Sequence, residues 1–306
     1  MYDPKQIHID TALSNVSIGY KNNSFVAEVL FPGITVMKRS DKYFKYGKEN
    51  LKRVETQRAP GTESNEVNQA ISNDSYSIEE HALKTIVTDQ ERENADQAIK
   101  PDVDATELVS DLLLLRLEYD VASILTSATY LTNGATLAGT TQWSDYQNSV
   151  PLTNILTGKA SVRGKIGKEA NVIVLAGDVA EKLALHPDIK DLRKYWDEKL
   201  LTESNLPPYI CGLRVVEAKP IHNTAYEGLT ASMSYIWGKN AIIAYINPKP
   251  GLKQLSLGYT FRLKGYRQTG KWRVPERKGD MVEVTDAYDF KLIDADCAYL
   301  LGSAIA

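Results

Sequence analysis

Residues 259–278 carry the densest set of groups able to grip a charged ligand. Arg262, Lys264, Arg267, Lys271, Arg273, Arg277 and Lys278 are interleaved there with Tyr259, Phe261, Tyr266 and Trp272. Cations contact phosphates and aromatic rings stack on bases, so such a strip can hold single-stranded nucleic acid. The same stretch also alternates. Leu257, Tyr259, Phe261 and Leu263 fall on one face of a strand and leave Arg262 and Lys264 on the other. Asp294 and Asp296, with Asp286 and Asp289 nearby, offer carboxylates to a divalent ion, or simply alternate along a half-exposed strand. Val172-Ile-Val-Leu-Ala176 followed by Gly177-Asp178 has the strand-turn-helix entry of a nucleotide-binding unit without its GxGxxG signature. The four histidines, His8, His81, His186 and His222, share no spacing that presents two ligands on one face. Cys211 and Cys297 belong to no CxxC, and neither GxSxG nor GxxxxGK[ST] occurs. No convergent catalytic site is legible, and no metal or cofactor is expected.

The elements that would position these groups divide unevenly. From about 104 onward the chain has core-forming patterns. Asp104 and Glu107 form a capping box that opens a helix over 104–130, about 36 Å or more at ~1.5 Å per residue. Its stripe is Ala105, Leu108, Leu112, Leu115, Tyr119 and Ala122, widened by Val109, Leu113, Ile124 and Ala128. Residues 170–260 read as one α/β unit with strands at 172–176, 213–217, 235–237 and 241–246. In the tail, Met281, Val282, Val284, Tyr288, Phe290 and Leu292 alternate, so it should return to pair with an earlier part of the chain.

The first hundred residues are different. Residues 9–37 are an arm whose apolar anchors (Leu13, Val16, Ile18, Tyr20, Phe25, Val26, Leu30, Phe31) are too few to fold alone. Residues 41–87 read as a long hairpin with a turn-rich tip at 58–66, and Thr88 with Glu91 caps a short helix after it. Lys38, Arg39, Lys42, Lys45, Lys48, Lys52, Arg53 and Arg58 make the outgoing limb basic. Glu79, Glu80, Asp89, Glu91, Glu93 and Asp96 make the return limb and its continuation acidic. Either the limbs neutralise each other, or the basic limb lies over an acidic surface of a neighbouring copy. A segment with so little core needs partners elsewhere, which points to assembly.

The totals bound the rest. The chain has 306 residues, 43% hydrophobic and 25% charged, which is ordinary globular composition. A net charge of -3 and pI ≈ 5.9 argue against a dedicated nucleic-acid binder. The start of the chain has no apolar signal region, and residues 112–115 are far short of the ~20 apolar residues that cross a bilayer. The expectation is a soluble protein made inside the cell, with no membrane partner.

Several ordered stretches resemble the major capsid proteins of tailed bacteriophages, which have the Hong Kong 97 type fold. They are Leu13-Ser-Asn-Val-Ser-Ile-Gly-Tyr20, Val29-Leu-Phe-Pro32, Ser40-Asp-Lys-Tyr-Phe44 and Arg58-Ala-Pro-Gly-Thr62. Asp74-Ser-Tyr76, Thr88-Asp-Gln-Glu-Arg-Glu-Asn-Ala-Asp96 and the helix opening at Asp104-Ala-Thr follow in the same order. They span about the first 130 residues; the C-terminal half is similar mainly in layout. The resemblance implies an α+β capsid fold with five parts: an N-terminal arm (1–39), an extended loop hairpin (40–87), a peripheral domain (88–168) with its spine helix (104–130), an axial α/β domain (169–278), and a return to the peripheral domain (279–306). It implies copies of the chain assembling through pentamers and hexamers into an icosahedral shell around double-stranded DNA. A separate scaffolding protein and portal, and a decoration protein, would be partners, with assembly in the host cytoplasm and residence in the virion. Phe25, Phe31, Tyr43 and Phe44 would be anchors buried by neighbours, joined at the interface by Lys42, Lys45, Lys48, Arg53, Arg58, Glu79 and Glu80. Arg262, Lys264, Arg267, Lys271 and Arg273 would face the packaged DNA. Deleting residues 2–30 should leave a soluble subunit that forms no shells. The alternatives are an encapsulin-like nanocompartment, a nucleic-acid binder using residues 259–278, and, third, an enzyme.

Overall fold

The structure is a computed structural model that describes residues 8–9, 25–46, 48–94, 100–226, 228–230, 232–251 and 254–306. Leu13, Val16, Ile18 and Tyr20 of the expected arm lie outside the described residues, as does Asp96.

One long helix bridges two sheets. The first sheet contains β1 (His8–Ile9), β2 (Gly33–Val36), β5 (Glu79–Thr88), β13 (Gly258–Leu263), β14 (Gln268–Val274) and β15 (Gly279–Leu292). β15 is its axis: β5 runs antiparallel along it from Thr88↔Gly279 to Glu79↔Tyr288, while β14 and then β13 also pair with it. Between β2 and β5 the chain leaves the sheet as a hairpin of β3 (Ser40–Tyr46) and β4 (Ile71–Ser77). The second sheet has the order β6 (Gly134–Thr136), β16 (Ala298–Gly302), β12 (Ala241–Ala244), β7 (Val172–Ala176), β9 (Leu213–Ala218), β8 (Tyr209–Ile210). β7 and β12 are buried at every position, which explains their unbroken apolar sequence. A small ribbon of β10 (Ile221–Asn223) and β11 (Met233–Tyr235) stands apart from both sheets.

The short helix α1 (Ala27–Leu30) precedes β2, and α2 (Asp89–Asn94) follows β5. The α2 start is the expected capping box: Glu91 accepts the Thr88 N–H at 2.7 Å and donates its own N–H to the Thr88 hydroxyl at 3.3 Å. The spine helix α3 spans Pro101–Leu125, not 104–130. Pro101 supplies the start, because its missing N–H is one no helix uses in its first turn, so Asp104 and Glu107 fall inside the helix. Its N-terminal half packs Ala105, Val109 and Leu113 on Val87, Val282 and Val284 of the first sheet. Its C-terminal half puts Leu117, Val121 and Leu125 into the core around the second sheet. The expected stripe is therefore rotated: Leu108, Leu112 and Tyr119 are exposed. α4 (Pro151–Ile166), α5 (Gly177–Ala184) and α6 (Pro187–Arg193) complete the second layer.

Three boundaries move relative to the sequence reading. Residues 258–274 belong to the first sheet rather than to the α/β unit, because β15 pairs with them. The last strand, β16, pairs with β12 and β6 in the second sheet, so the tail serves both. Residues 26–36 are not a loose arm: Val26, Ala27, Leu30 and Phe31 are buried in the chain's own core.

Candidate subunit interface

The hairpin is the part of the described chain with the least burial. Residues 51–69 are exposed throughout, and Phe44 and Leu51 are 63% and 78% exposed. At its tip the Arg58 guanidinium donates to the Thr62 carbonyl at 2.6 Å and to the Ser64 hydroxyl at 3.4 Å, closing the turn. Its root, by contrast, is fixed. The Tyr76 ring stacks on Phe261 with centroids 4.6 Å apart, and Tyr43 lies 5.4 Å from the same ring. Arg39 sits over the Tyr266 ring and pairs with Glu80 at 3.1 Å. The Ile78 N–H donates to the Arg39 carbonyl, and the Ser77 N–H donates to Asp289 at 2.8 Å. The two strands are tied internally by Lys45 and Asp74 at 2.8 Å, with the Tyr43 hydroxyl on the same carboxylate. Burial and that carboxylate push the Tyr43 phenol up.

Beyond the root the hairpin touches the body again through Lys48. Its ammonium binds Asp296, with Asp294 at 3.9 Å, and Lys165 of α4 holds the other Asp296 oxygen at 3.0 Å. Lys48 is the main reason the Asp296 carboxyl is held below its ordinary range. Asp294 and Asp296 thus serve as ion-pair partners and cap the turn at residues 295–297, where Asp294 accepts the Asp296 N–H. Among the described residues no group of three or more His, Cys, Asp and Glu is arranged to hold a metal ion. Between the two attachments is a groove of about 1170 Å³, walled by Lys42, Phe44 and Lys48 and floored by Tyr259, Phe261 and Ile293.

The expected interface residues separate into two sets. Lys42, Phe44, Arg53, Arg58 and Glu79 are exposed. Lys42 and Arg53 have no side-chain hydrogen bond or ion pair among the described residues, and Glu80 is used by Arg39. Lys45, Lys48 and Tyr43 are held by their own chain. Phe31 is a correction: it is 1% exposed, set edge-on to Phe290 at 6.2 Å, and unavailable to a neighbour. The close fit extends to Gly258, where a Cβ would lie 2.1 Å from the Phe31 ring. Phe25 is half-buried.

Four of the five residues expected to face DNA are held in ion pairs. Arg262 meets Glu28 at 2.8 Å, and Arg267 reaches the same carboxylate at 3.8 Å. Lys271 meets Asp102 at 3.1 Å, and Arg273 meets Asp89 at 2.5 Å. Lys264 stays exposed. Four cations of the strip are thus matched by acids from three distant segments, which leaves Lys264, Arg277 and Lys278 as its exposed cations outside those pairs in place of a continuous positive stripe. The remaining sequence candidates are structural too. A Cβ on Gly177 would lie 2.7 Å from the Tyr235 ring, so this glycine admits a packed aromatic rather than a phosphate. His186 is buried, accepts the Asp188 N–H at 3.3 Å as a helix cap and meets the Ser149 hydroxyl at 3.2 Å. His81 stacks on Tyr288 and His222 abuts Tyr119.

Glu118 was not legible in the sequence as a key group. It is fully buried on α3, and its carboxylate accepts the N–H groups of Val26 (3.0 Å) and Ala27 (2.7 Å) and the Trp237 indole N–H (2.5 Å). One side chain thereby caps α1, holds the N-terminal segment to the spine, and joins both to the second layer. Burial pushes its carboxyl up, against the pull of those donors. A glutamate within an apolar helical run was its only sequence signal.

No family profile matches the chain. It is 28% identical to the major capsid protein of Burkholderia phage BcepMu over 96% of its own length and 95% of that protein. It is 26% identical to the major capsid protein of Pseudomonas phage JBD67, with 97% of each covered. Along nearly its whole length the chain is therefore similar to phage major capsid proteins. Its fold is the Hong Kong 97 type α+β fold. A phage-related protein of Bordetella bronchiseptica RB50 superposes with a TM-score of 0.74 at 22% identity, covering 97% of this chain and 98% of that one. The capsid of cyanophage P-SCSP1u gives 0.63 at 12%, covering 93% and 89%. An encapsulin of Synechococcus elongatus PCC 7942 shares the fold at 0.54 and 8%, covering 96% and 94%.

Proposed function

We propose that this protein is a shell subunit, many copies of which form the icosahedral capsid of a phage virion. The single observation that carries this is similarity to two phage major capsid proteins over 95% and 97% of their lengths. The hairpin supports it physically. Fixing a backbone residue costs ~1–2 kcal/mol, so an element with so little burial of its own is worth holding only where another copy covers it. Head-to-tail contacts between copies close into rings, and pentamers and hexamers together tile a closed shell. In this arrangement Lys42, Phe44, Arg53, Arg58 and Glu79 contact the adjacent copy, with Phe25 at its edge. A scaffolding protein and portal direct assembly in the host cytoplasm, a decoration protein is an outer partner, and the genome is double-stranded DNA touched weakly and without sequence preference. Lys264 is the basic-strip residue best placed for that contact. We assign the chain no catalytic step and no cofactor. An encapsulin shares the fold, yet the relatives over the whole sequence are phage capsid proteins, which favours a genome over a protein cargo.

Sedimentation velocity with negative-stain imaging of the purified chain, at low and high salt, tests this. Shells, tubes or five- and six-membered rings are expected. A monomer at every concentration, even with the cognate scaffold co-expressed, would contradict it.

A further inference from the structure

The outward face of α3 carries an apolar seam that the other described residues leave largely open. Leu108, Leu112, Leu115 and Tyr119 recur at i, i+4, i+7 and i+11, the spacing by which one helix packs along another. The helix already buries its other side on both sheets. Leu108, Leu112 and Tyr119 nevertheless remain 57%, 44% and 46% exposed. A contiguous apolar ridge of this kind marks an interaction surface. Along one edge of it Asp104, Glu107 and Asp111 fall at i, i+3 and i+7, with no ion pair among the described residues. One Asp111 carboxylate oxygen is shut off from solvent with no hydrogen-bond partner among them.

We propose that this face docks an amphipathic helix of a separate chain, apolar along the seam and rich in lysine or arginine along the edge that meets Asp104, Glu107 and Asp111. The inference rests on reading the protein as a shell subunit that works with a separate assembly chain. The 4-3-4 spacing selects a helix as occupant, and the unpaired carboxylates select cations beside it. A second copy fits less well. Among the described residues, α4 exposes only Leu156 among its large apolar side chains, and α5 and α6 have eight and seven residues.

The test is fluorescence anisotropy with the intact protein and two synthetic helical peptides of about three heptads. Both carry leucine at the seam positions; lysine flanks the seam in one and glutamate in the other. The lysine peptide should bind. D104K/D111K should weaken it roughly tenfold and admit the glutamate peptide, and L112S/Y119S should weaken both, with melting followed alongside because Tyr119 also abuts His222 and one Asp111 oxygen is shut off from solvent. Equal binding of both peptides, or binding indifferent to L112S/Y119S, would overturn the proposal. So would binding that emerges only after removal of residues 2–24, which gives the seam to this chain's own N-terminal segment. Loss of self-association in L112S/Y119S without peptide would give it to a second copy instead. Negative-stain imaging of the same wild-type preparation scores shell formation separately, so a failed docking site and a failed shell reading produce different results.

Discussion

The second sheet and the hairpin are opposite solutions to the same requirement. In the sheet, β7 and β12 pair in register from Val172↔Ala244 to Leu175↔Ala241 and bury every side chain. In the hairpin, β3 and β4 are equally well paired, from Ser40↔Ser77 to Tyr46↔Ile71, and bury almost nothing beyond Tyr76. Backbone pairing is thus common to both, and side-chain burial is what separates them. The sheet is stable by itself, whereas the hairpin is held at its root and by Lys48 and presents its faces outward. An isolated two-stranded ribbon is marginal in water, so its persistence depends on those two attachments and, in the proposed shell, on a neighbour.

The comparison breaks most visibly in the body. Ile243→Ala should remove about 3 kcal/mol from the unfolding free energy of the unassembled subunit, because Ile243 is fully buried between its sheet and α4. Glu118→Ala should cost about as much, since it strands three buried N–H donors at once. Both are read by denaturant titration, and a loss under about 1 kcal/mol for Glu118→Ala would remove its role as the junction. Tyr76→Ala should fall between the two regions, with a modest stability loss and a loosened hairpin. Phe44→Ser and Leu51→Ser should change subunit stability by less than about 0.5 kcal/mol while sharply lowering shell yield in sedimentation. A stability loss without an assembly loss would reverse the assignment of these side chains.

How much of this was legible follows the range of each interaction. The Thr88–Glu91 cap was readable because both partners lie within one turn. The α/β strands were readable because burial on both faces leaves an unbroken apolar run. The phase of α3 was not, since leucines at 112–115 surround the axis and periodicity cannot choose a face; the tertiary partners did. Both limbs of the hairpin were visible, yet Glu79–Thr88 pairs with β15 rather than with the outgoing limb, because alternation does not name a partner strand. Charge segregation in the hairpin resolves only partly into internal pairs, Lys45 with Asp74 and Arg39 with Glu80. The basic strip misled for the same reason of distance: Glu28, Asp89 and Asp102, which neutralise it, are far away in the chain. Phe31 resembled an anchor for a neighbour because Phe290 and Gly258, which enclose it, belong to the other end of the chain. Its burial with Val26 and Leu30 also changes the deletion test: removing residues 2–30 should unfold the subunit, and residues 2–24 are the segment to remove.

The smallest expected effect concerns the second attachment. Lys48 lowers the Asp296 carboxyl below its ordinary 3.8, so this contact stabilises above that value and is lost as pH falls through the depressed folded value. Amide exchange in β3 and β4 should therefore be slower in the wild type than in Lys48→Ala near neutral pH, and the difference should vanish in strong acid. A difference that persists under acid would show that the hairpin is held at its root alone.

The most direct measurement replaces residues 47–70 with a two-residue turn and follows the product by thermal melting and sedimentation velocity with negative-stain imaging. If the hairpin serves other copies rather than its own core, the melting midpoint falls by no more than in Lys48→Ala and shells and rings disappear. Normal shells from the shortened chain, or a body that no longer folds, would contradict that claim.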